Sequence, residues 1–244
     1  MKTEAKIAIV TGAGTGIGRS TTISLLREGY SVVLAGRRKE PLEITVKEAG
    51  EDGSRTLVCP TDVGNPDSVR SLFLKTKETF GRLDLLVNNA SSFYATPIGE
   101  TTEEQWTDLI GTNLKAPFFL AQAAAGALSE SQGSVINLID IYADRPLRGH
   151  SVYSLAKAGL AALTRSLAIE LGPHVRVNGI APGAVLWPEN NTNQIAQQRL
   201  ISSTPLKRVG QPDDISSALL YLVRDAPFVN GQILNVDGGR SVVS

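Results

Sequence analysis

The chain has 244 residues, of which 42% are hydrophobic and 20% charged, a composition typical of a globular protein with a substantial core. Lys plus Arg and Asp plus Glu both number 24, so the balanced charge argues against a nucleic-acid or membrane-surface partner. No apolar stretch reaches the length of a membrane span and no export-signal pattern is found at the N-terminus, so the cytoplasm is the expected location.

Short β-branched runs alternate with longer amphipathic segments along the chain. The predicted strands are Lys6–Val10, Ser31–Ala35, Arg55–Cys59, Leu83–Val87, Ser134–Ile139, Val175–Ile180 and Gln232–Asn235. The predicted helices include Gly18–Glu28, Pro66–Phe80, Glu103–Leu128, Tyr153–Leu171 and Pro212–Val223. This alternation predicts an α/β protein with a doubly wound parallel sheet of about seven strands, in one domain over residues 1–244. The stretch near residues 183–203 interrupts the pattern and is expected to be a substrate-covering loop with a short helix.

The segment TGAGTGIGRS lies between the first predicted strand and the first predicted helix. Its glycines at 12, 16 and 18 allow a tight turn, close approach of a pyrophosphate and packing of the helix against the sheet. The helix N-terminus adds free N–H groups for the phosphates. A glycine-rich string can also be a structural turn, but this position favours a dinucleotide site. We expect contacts from Gly12, Thr15, Gly16, Ile17 and Gly18.

The end of the second predicted strand indicates which dinucleotide binds. A protein that prefers NAD usually has an acidic residue there for the ribose hydroxyls, whereas this chain has Gly36 followed by Arg37 and Arg38. Guanidinium groups suit a phosphate dianion, which predicts NADP(H); the alternative is a solvated basic start of a helix. After the third strand, Asp62 and Val63 are expected to flank an adenine ring.

Three polar side chains follow one another at informative spacings in the middle of the chain. Asp140 comes after an apolar strand, and Tyr153 and Lys157 follow it, four residues apart on one face of a predicted helix. A phenol with a pKa of about 10 is a poor proton donor at neutral pH. A neighbouring ammonium stabilises the phenolate and lowers that pKa, so the pair is suited to protonating a carbonyl or imine during its reduction.

The chain resembles the short-chain dehydrogenase/reductase family over essentially its whole length. The matching segments are TGAGTGIG from Thr11, NNAS from Asn88, GTN from Gly111, YSLAK from Tyr153, RVNGIAPG from Arg176 and VDGG from Val236. The resemblance implies a Rossmann-type fold and hydride transfer from a nicotinamide to a small-molecule substrate. It also implies a homotetramer, although the apolar helix faces are equally explained by burial against the chain's own sheet. The further cofactor contacts that it implies are Asn89, Ala90, Tyr153, Lys157, Pro182, Gly183 and Val185.

By the same motif match, Asn113, Tyr153 and Lys157 are three members of the family's catalytic tetrad. Asn113 is expected to anchor a water through which the proton is replaced. The fourth member is normally Ser, and this chain has Asp140 in its place. The substitution has two readings: an inactive relative, or a likeness to a particular group within the family.

The pteridine reductases of this family carry Asp at that position, and they also have a segment like NNASSFYATP, which here begins at Asn88. By this resemblance Phe93 stacks on a pterin above the nicotinamide, and Ser91 reaches cofactor and substrate. The alternative for Phe93 is a loop aromatic in the core. The chain departs from these enzymes at Gly16, where they usually have Arg.

The segment PGAVLWPE also lacks the Thr that the general family has after PG, and Trp187 stands there. Leu186 and Trp187 either line an apolar substrate pocket or attach the loop to the core. The leading hypothesis is an NADPH-dependent reductase of a pterin or a similar planar heterocycle. The alternatives are a carbonyl reductase for 3-oxoacyl, quinone or cyclic ketone substrates, and a non-catalytic NADP(H) sensor. Two histidines and one cysteine give no support to a metal site or a disulfide.

Overall fold

The computed structural model describes residues 5–185 and 194–243. Within them, parallel strands form a seven-stranded sheet in the order β3-β2-β1-β4-β5-β6-β7, as predicted. The strands are β1 Ile7–Thr11, β2 Ser31–Gly36, β3 Thr56–Pro60, β4 Leu85–Asn88, β5 Ser134–Leu138, β6 Arg176–Pro182 and β7 Ile233–Val236. The order reverses between β1 and β4, so a crevice forms at their carboxyl ends, where such sheets bind ligands.

The helices connect these strands and cover both faces of the sheet. They are α1 Gly16–Arg27, α2 Lys39–Glu48, α3 Pro66–Phe80, α4 Glu103–Ile110, α5 Ala116–Ser131, α6 Ser151–Glu170, α7 Gln194–Ser203 and α8 Pro212–Leu220. The long helix predicted over Glu103–Leu128 is divided by a π-helical turn at Gly111–Lys115. Helix α2 was not among the predicted segments, whereas α7 agrees with the short helix expected near residues 183–203. None of the helices in the described ranges is long and apolar enough to cross a membrane.

Alternating side chains on the strands produce a core on each face of the sheet. In β1, Ile7 and Ile9 pack on one face, and Ala8 and Val10 pack on the other. The first face is covered by α3, α5 and α6, which contribute Leu72, Leu120, Leu128 and Leu167. The second is covered by α1, α2 and α8, which contribute Leu25, Leu26, Leu42, Ile215 and Leu219. The five central strands are therefore almost entirely buried, whereas the edge strands β3 and β7 are partly exposed.

Side-chain caps fix two helix starts beside the crevice. Asn65 accepts hydrogen bonds from the backbone N–H groups of Asp67 and Ser68 at the start of α3. Thr102 and Gln105 form a capping box at the start of α4. Each cap satisfies backbone donors that have no partner inside the helix, so both helices begin at defined positions around the site.

Candidate active site

The glycine turn after β1 is held by the strand beside it. Gly12 has a φ of +66°, and a Cβ there would lie 2.8 Å from Asn89 Nδ2. A Cβ on Gly18 would lie 2.1 Å from Gly12 O, so only glycine allows α1 to begin so close to the turn. Asn89 Nδ2 donates to Thr11 O at 2.8 Å, and Thr11 Oγ1 accepts from the backbone N–H groups of Asn89 and Ala90. The Asn89 side chain therefore stabilises the turn itself.

A cavity of about 1410 Å³ lies next to this turn, larger than the roughly 300–1,000 Å³ of pockets for drug-sized ligands. The predicted residues that line it are Gly12, Thr15, Arg37, Arg38, Asp62, Val63, Ala90 and Ser91. Arg37 and Arg38 are exposed, and within the described ranges no hydrogen bond or ion pair from either guanidinium is found. A glycine cradle, a helix N-terminus and free guanidinium groups fit a nicotinamide dinucleotide.

The other predicted cofactor residues do not line that cavity. Gly16 and Ile17 lie in the first turn of α1. Pro182 ends β6, Gly183 N donates to Val236 O at 3.0 Å, and Val185 is buried in the core on the α8 side of the sheet. Pro182, Gly183 and Val185 lie at the carboxyl end of β6. The predicted substrate contacts Leu186 and Trp187 fall outside the described residues.

Asp140 and Tyr153 meet where β5 leads into the loop before α6. The Tyr153 phenol donates to Asp140 Oδ2 at 2.8 Å, and the Tyr142 N–H donates to Asp140 Oδ1 at 2.9 Å. Lys157 lies one turn further along α6, and its Nζ donates to Leu138 O at 2.8 Å. Asp140 therefore faces Tyr153, and both of its carboxylate oxygens have a donor.

Burial changes the acid–base properties of these groups. It raises the pKa of the Asp140 carboxyl, although the Tyr142 N–H, the Tyr153 hydroxyl and the Lys157 ammonium each oppose the change. Burial also raises the pKa of the Tyr153 phenol, and the Asp140 charge raises it further, whereas the Ser91 hydroxyl lowers it. The pKa of Lys157 falls to about 8 because its ammonium is buried, while Asp140 acts in the opposite direction.

The expectation that Lys157 lowers the pKa of Tyr153 is not met in this structure. Lys157 Nζ is 5.6 Å from the centroid of the Tyr153 ring and is directed at the Leu138 carbonyl. The Asp140 carboxylate, in contrast, is in direct contact with the phenol. The burial and the nearer negative charge therefore raise the pKa of the Tyr153 phenol.

Asn113 lies in the π-helical turn between α4 and α5 and is fully buried. Its Nδ2 donates to Leu109 O and Ser92 O, both at 2.9 Å, and its Oδ1 accepts from Ser91 Oγ at 2.6 Å. Both amide hydrogens are used, so only oxygen lone pairs remain for the predicted water. Asn113 thereby fixes the position of Ser91, next to Tyr153.

Phe93 lies against Tyr153, outside the core. The two rings meet edge to face, with centroids 4.8 Å apart and an interplanar angle of 78°, and 52% of Phe93 is exposed. The alternative that places Phe93 in the core is therefore wrong. His150 stacks on Phe93, with centroids 4.9 Å apart and an interplanar angle of 15°. Sequence reasoning did not include His150 in the site, although it directly precedes the helix that carries Tyr153.

Comparisons with known proteins agree with this architecture. Residues 12–241 match a family model described as enoyl-(acyl carrier protein) reductase. The chain is 37% identical to (2S)-[(R)-hydroxy(phenyl)methyl]succinyl-CoA dehydrogenase subunit BbsD of Thauera aromatica, over 97% of each chain. It is 33% identical to the 3-oxoacyl-[acyl-carrier-protein] reductase FabG of Thermotoga maritima, over 98% of this chain and 99% of that protein. The crystal structure of a short chain dehydrogenase from Bacillus anthracis superposes with a TM-score of 0.88 and 33% identity, over 96% of each chain.

The chain belongs to the short-chain dehydrogenase/reductase family, and it is an oxidoreductase of the class that uses a nicotinamide cofactor. Membership agrees with the parallel sheet and with the juxtaposition of Asp140 and Tyr153. No group of three or more His, Cys, Asp or Glu side chains in the described ranges could hold a metal ion.

Proposed function

We propose that this protein is an NADPH-dependent reductase of a pterin or a similar planar heterocycle, resembling the pteridine reductases. The observation that carries the proposal is the 2.8 Å hydrogen bond between Tyr153 and Asp140, at a position where the general family has Ser. The half-exposed Phe93 ring beside Tyr153 supports it, because a flat heteroaromatic ring stacks well on such a surface. Gly16, where pteridine reductases usually have Arg, is the departure from that group.

The preference for NADP(H) over NAD(H) rests on Arg37 and Arg38. Both side chains line the large cavity and are exposed, and Gly36 offers no carboxylate for ribose hydroxyls. Two exposed guanidinium groups next to the glycine turn, with no partner among the described residues, favour a ligand that carries an additional phosphate. When bound, the nicotinamide supplies the hydride.

The protein's own residues would then supply the proton that the reduced substrate needs. Reduction of a C=N bond leaves a nitrogen that must be protonated, and Tyr153 and Asp140 form a hydrogen-bonded pair that can supply the proton. Burial raises the pKa of the Asp140 carboxyl, so this group holds a proton at higher pH than an exposed Asp does. Lys157 would hold the nicotinamide ribose and Asn113 would keep Ser91 in place.

A second candidate is a carbonyl reductase acting on 3-oxoacyl, quinone or cyclic ketone substrates. It is favoured by the printed names of the relatives, which include a 3-oxoacyl-[acyl-carrier-protein] reductase at 33% identity. The test is NADPH oxidation measured with a dihydropterin, a quinone, a 3-oxoacyl thioester and a cyclic ketone. The proposal expects the highest kcat/KM for the dihydropterin. A 3-oxoacyl thioester as the best substrate would favour the second candidate, and NADPH binding without turnover of any substrate would favour a sensor.

We also propose a cytoplasmic homotetramer. Four large apolar side chains on α4, α5 and α6 are between 40% and 50% exposed: Trp106, Phe118, Phe119 and Leu155. An exposed apolar surface of this kind is typical of a subunit interface. Light scattering on the purified protein tests the proposal, and a monomer at micromolar concentration would contradict it.

A further inference from the structure

We propose that His150 is a positioning residue that holds the Phe93 ring in place, so that one face of Phe93 stays open to a planar substrate. This inference rests on the proposed function and adds a residue that the family resemblance did not supply. The imidazole is nearly parallel to the Phe93 ring, at 15°, with centroids 4.9 Å apart. It therefore covers one face of Phe93.

The second ring contact of Phe93 is with Tyr153 and is not parallel. The two rings meet edge to face at 78°, with centroids 4.8 Å apart. Half of the Phe93 side chain remains exposed, at 52%. A flat substrate next to the Tyr153 hydroxyl can therefore stack on Phe93 only from the side opposite His150.

His150 can act as a fixed support because its own position is set by the backbone. It precedes the first residue of α6 and forms an isolated bridge with Thr96. The Thr96 N–H donates to Gly149 O at 2.6 Å. This hydrogen bond joins the loop after β4, which carries Phe93 and Thr96, to the start of α6. His150 Nδ1 lies 3.1 Å from Arg148 O, a hydrogen bond when Nδ1 carries the proton. An exposed ring held in its binding orientation before the ligand arrives loses less conformational entropy on binding.

The test separates the aromatic face of His150 from its hydrogen bond. His150→Phe keeps a planar ring and removes the nitrogen, whereas His150→Gln keeps a donor and removes the ring. The measurement is the Kd of pterin, followed by its fluorescence, for protein saturated with NADP+, with the Kd of NADP+ as a second readout. We expect pterin to bind about two- to tenfold more weakly to His150→Gln and within about twofold of the parent to His150→Phe. Neither variant should change the Kd of NADP+.

Two binding results would overturn the inference: parent-like pterin affinity in His150→Gln, or equal weakening in His150→Phe and His150→Gln. Pterin binding to the parent without reduction of dihydropterin would contradict the proposed function alone. Reduction of dihydropterin by the parent, together with tight binding by His150→Gln, would contradict this inference alone. No pterin binding by the parent would overturn both.

Proton NMR gives a measurement that does not depend on ligand binding. The chain has only two histidines, His150 and His174, so their ring signals are simple to assign. Stacking on Phe93 predicts an upfield shift of the His150 signals, and Phe93→Leu should remove that shift while the His174 signals stay unchanged. His150 signals that do not move in Phe93→Leu would overturn the stacking on which the inference depends.

Discussion

The Tyr153 phenol donates a hydrogen bond to Asp140 Oδ2 at 2.8 Å, so the two groups share their protonation equilibrium. Burial raises the pKa of each, and the charge of Asp140 raises that of Tyr153 further. Removal of the carboxylate should therefore change the chemistry of the phenol as well as the number of proton donors. This coupling is the feature that distinguishes the site from one with a neutral Ser at position 140.

The first prediction concerns cofactor preference. Arg37→Ala combined with Gly36→Asp should shift preference towards NADH by about 1–3 kcal/mol. The change removes a guanidinium that would pair with the additional phosphate of NADPH, and it adds a carboxylate that can accept hydrogen bonds from the ribose hydroxyls of NADH. The new Cβ at position 36 would meet only the end of the Leu42 side chain, at 3.3 Å. Steady-state kcat/KM for both cofactors measures the shift. Lys39→Ala is the control, since that charge pairs with Glu43 at 2.8 Å. Equal use of NADH and NADPH by the unaltered protein would refute the assignment.

The second prediction concerns the proton donor. Tyr153→Phe keeps the ring that contacts Phe93 and removes the hydroxyl, so turnover should fall by about 10² or more. The Kd of NADPH should stay close to that of the parent. Tyr221→Phe removes an exposed hydroxyl on a distant helix end and should leave turnover unchanged. Normal turnover in Tyr153→Phe would mean that another group donates the proton.

The third prediction concerns the buried ammonium of Lys157. Its pKa falls from 10.5 to about 8 because burial disfavours the charge. A folded-state pKa below the unfolded value contributes stability that is present above the unfolded pKa and is lost as pH falls through the folded pKa. Relative to Lys157→Met, the parent should therefore gain roughly 2 kcal/mol of unfolding free energy between about pH 8 and pH 10.

Urea unfolding at several pH values measures this difference. Lys75→Met, at an exposed position of α3, is the matched control and should follow the parent over the whole range. Parallel pH profiles for the parent and Lys157→Met would show that the ammonium is not destabilised by burial. Lys157→Ala should also weaken both NADPH binding and turnover, because Lys157 is proposed to hold the ribose.

The fourth prediction concerns Phe93. Phe93→Ala should weaken binding of a planar substrate by roughly 0.5–1.5 kcal/mol beyond the loss of contact area, with little change for NADPH. Its half-exposed position also predicts a small loss of unfolding free energy. Phe228→Ala, at a fully exposed position after α8, is the control for losing an aromatic ring. A large folding defect with unchanged kinetics per folded molecule would contradict a role in substrate binding.

Much of the fold could be predicted because periodicity and burial agree in the strands. The run that begins at Ile7 is apolar on both faces, as a parallel strand between two helical layers must be. The π-helical turn that carries Asn113 could not be predicted, because its single extra residue per turn leaves the apolar pattern of α4 and α5 almost continuous. Helix α2 was not predicted, although its ten residues are amphipathic and bury Leu42 and Thr45.

The candidate site residues that could be predicted are those that belong to a sequence motif. Asp140 comes just after β5, and Tyr153 and Lys157 lie one turn apart in α6. Their positions in these elements therefore bring their side chains to the same end of the sheet. The contact between Phe93 and His150 depends instead on the bridge between Thr96 and His150, which joins two loops that are far apart in sequence. Long-range loop pairing leaves no periodic signal, so the stacking of His150 on Phe93 became visible only in three dimensions.

The most direct test of the central proposal is the activity of Asp140→Ser on two substrates. The variant restores the residue of the general family, so reduction of a simple ketone should remain near the parent level. Reduction of dihydropterin should fall to a small fraction of it, because the second proton donor is lost. Asp140→Ala should also lose the pterin activity, and Asp144→Ser, at an exposed position, should keep both activities. Dihydropterin reduction by Asp140→Ser as fast as by the parent would contradict the account.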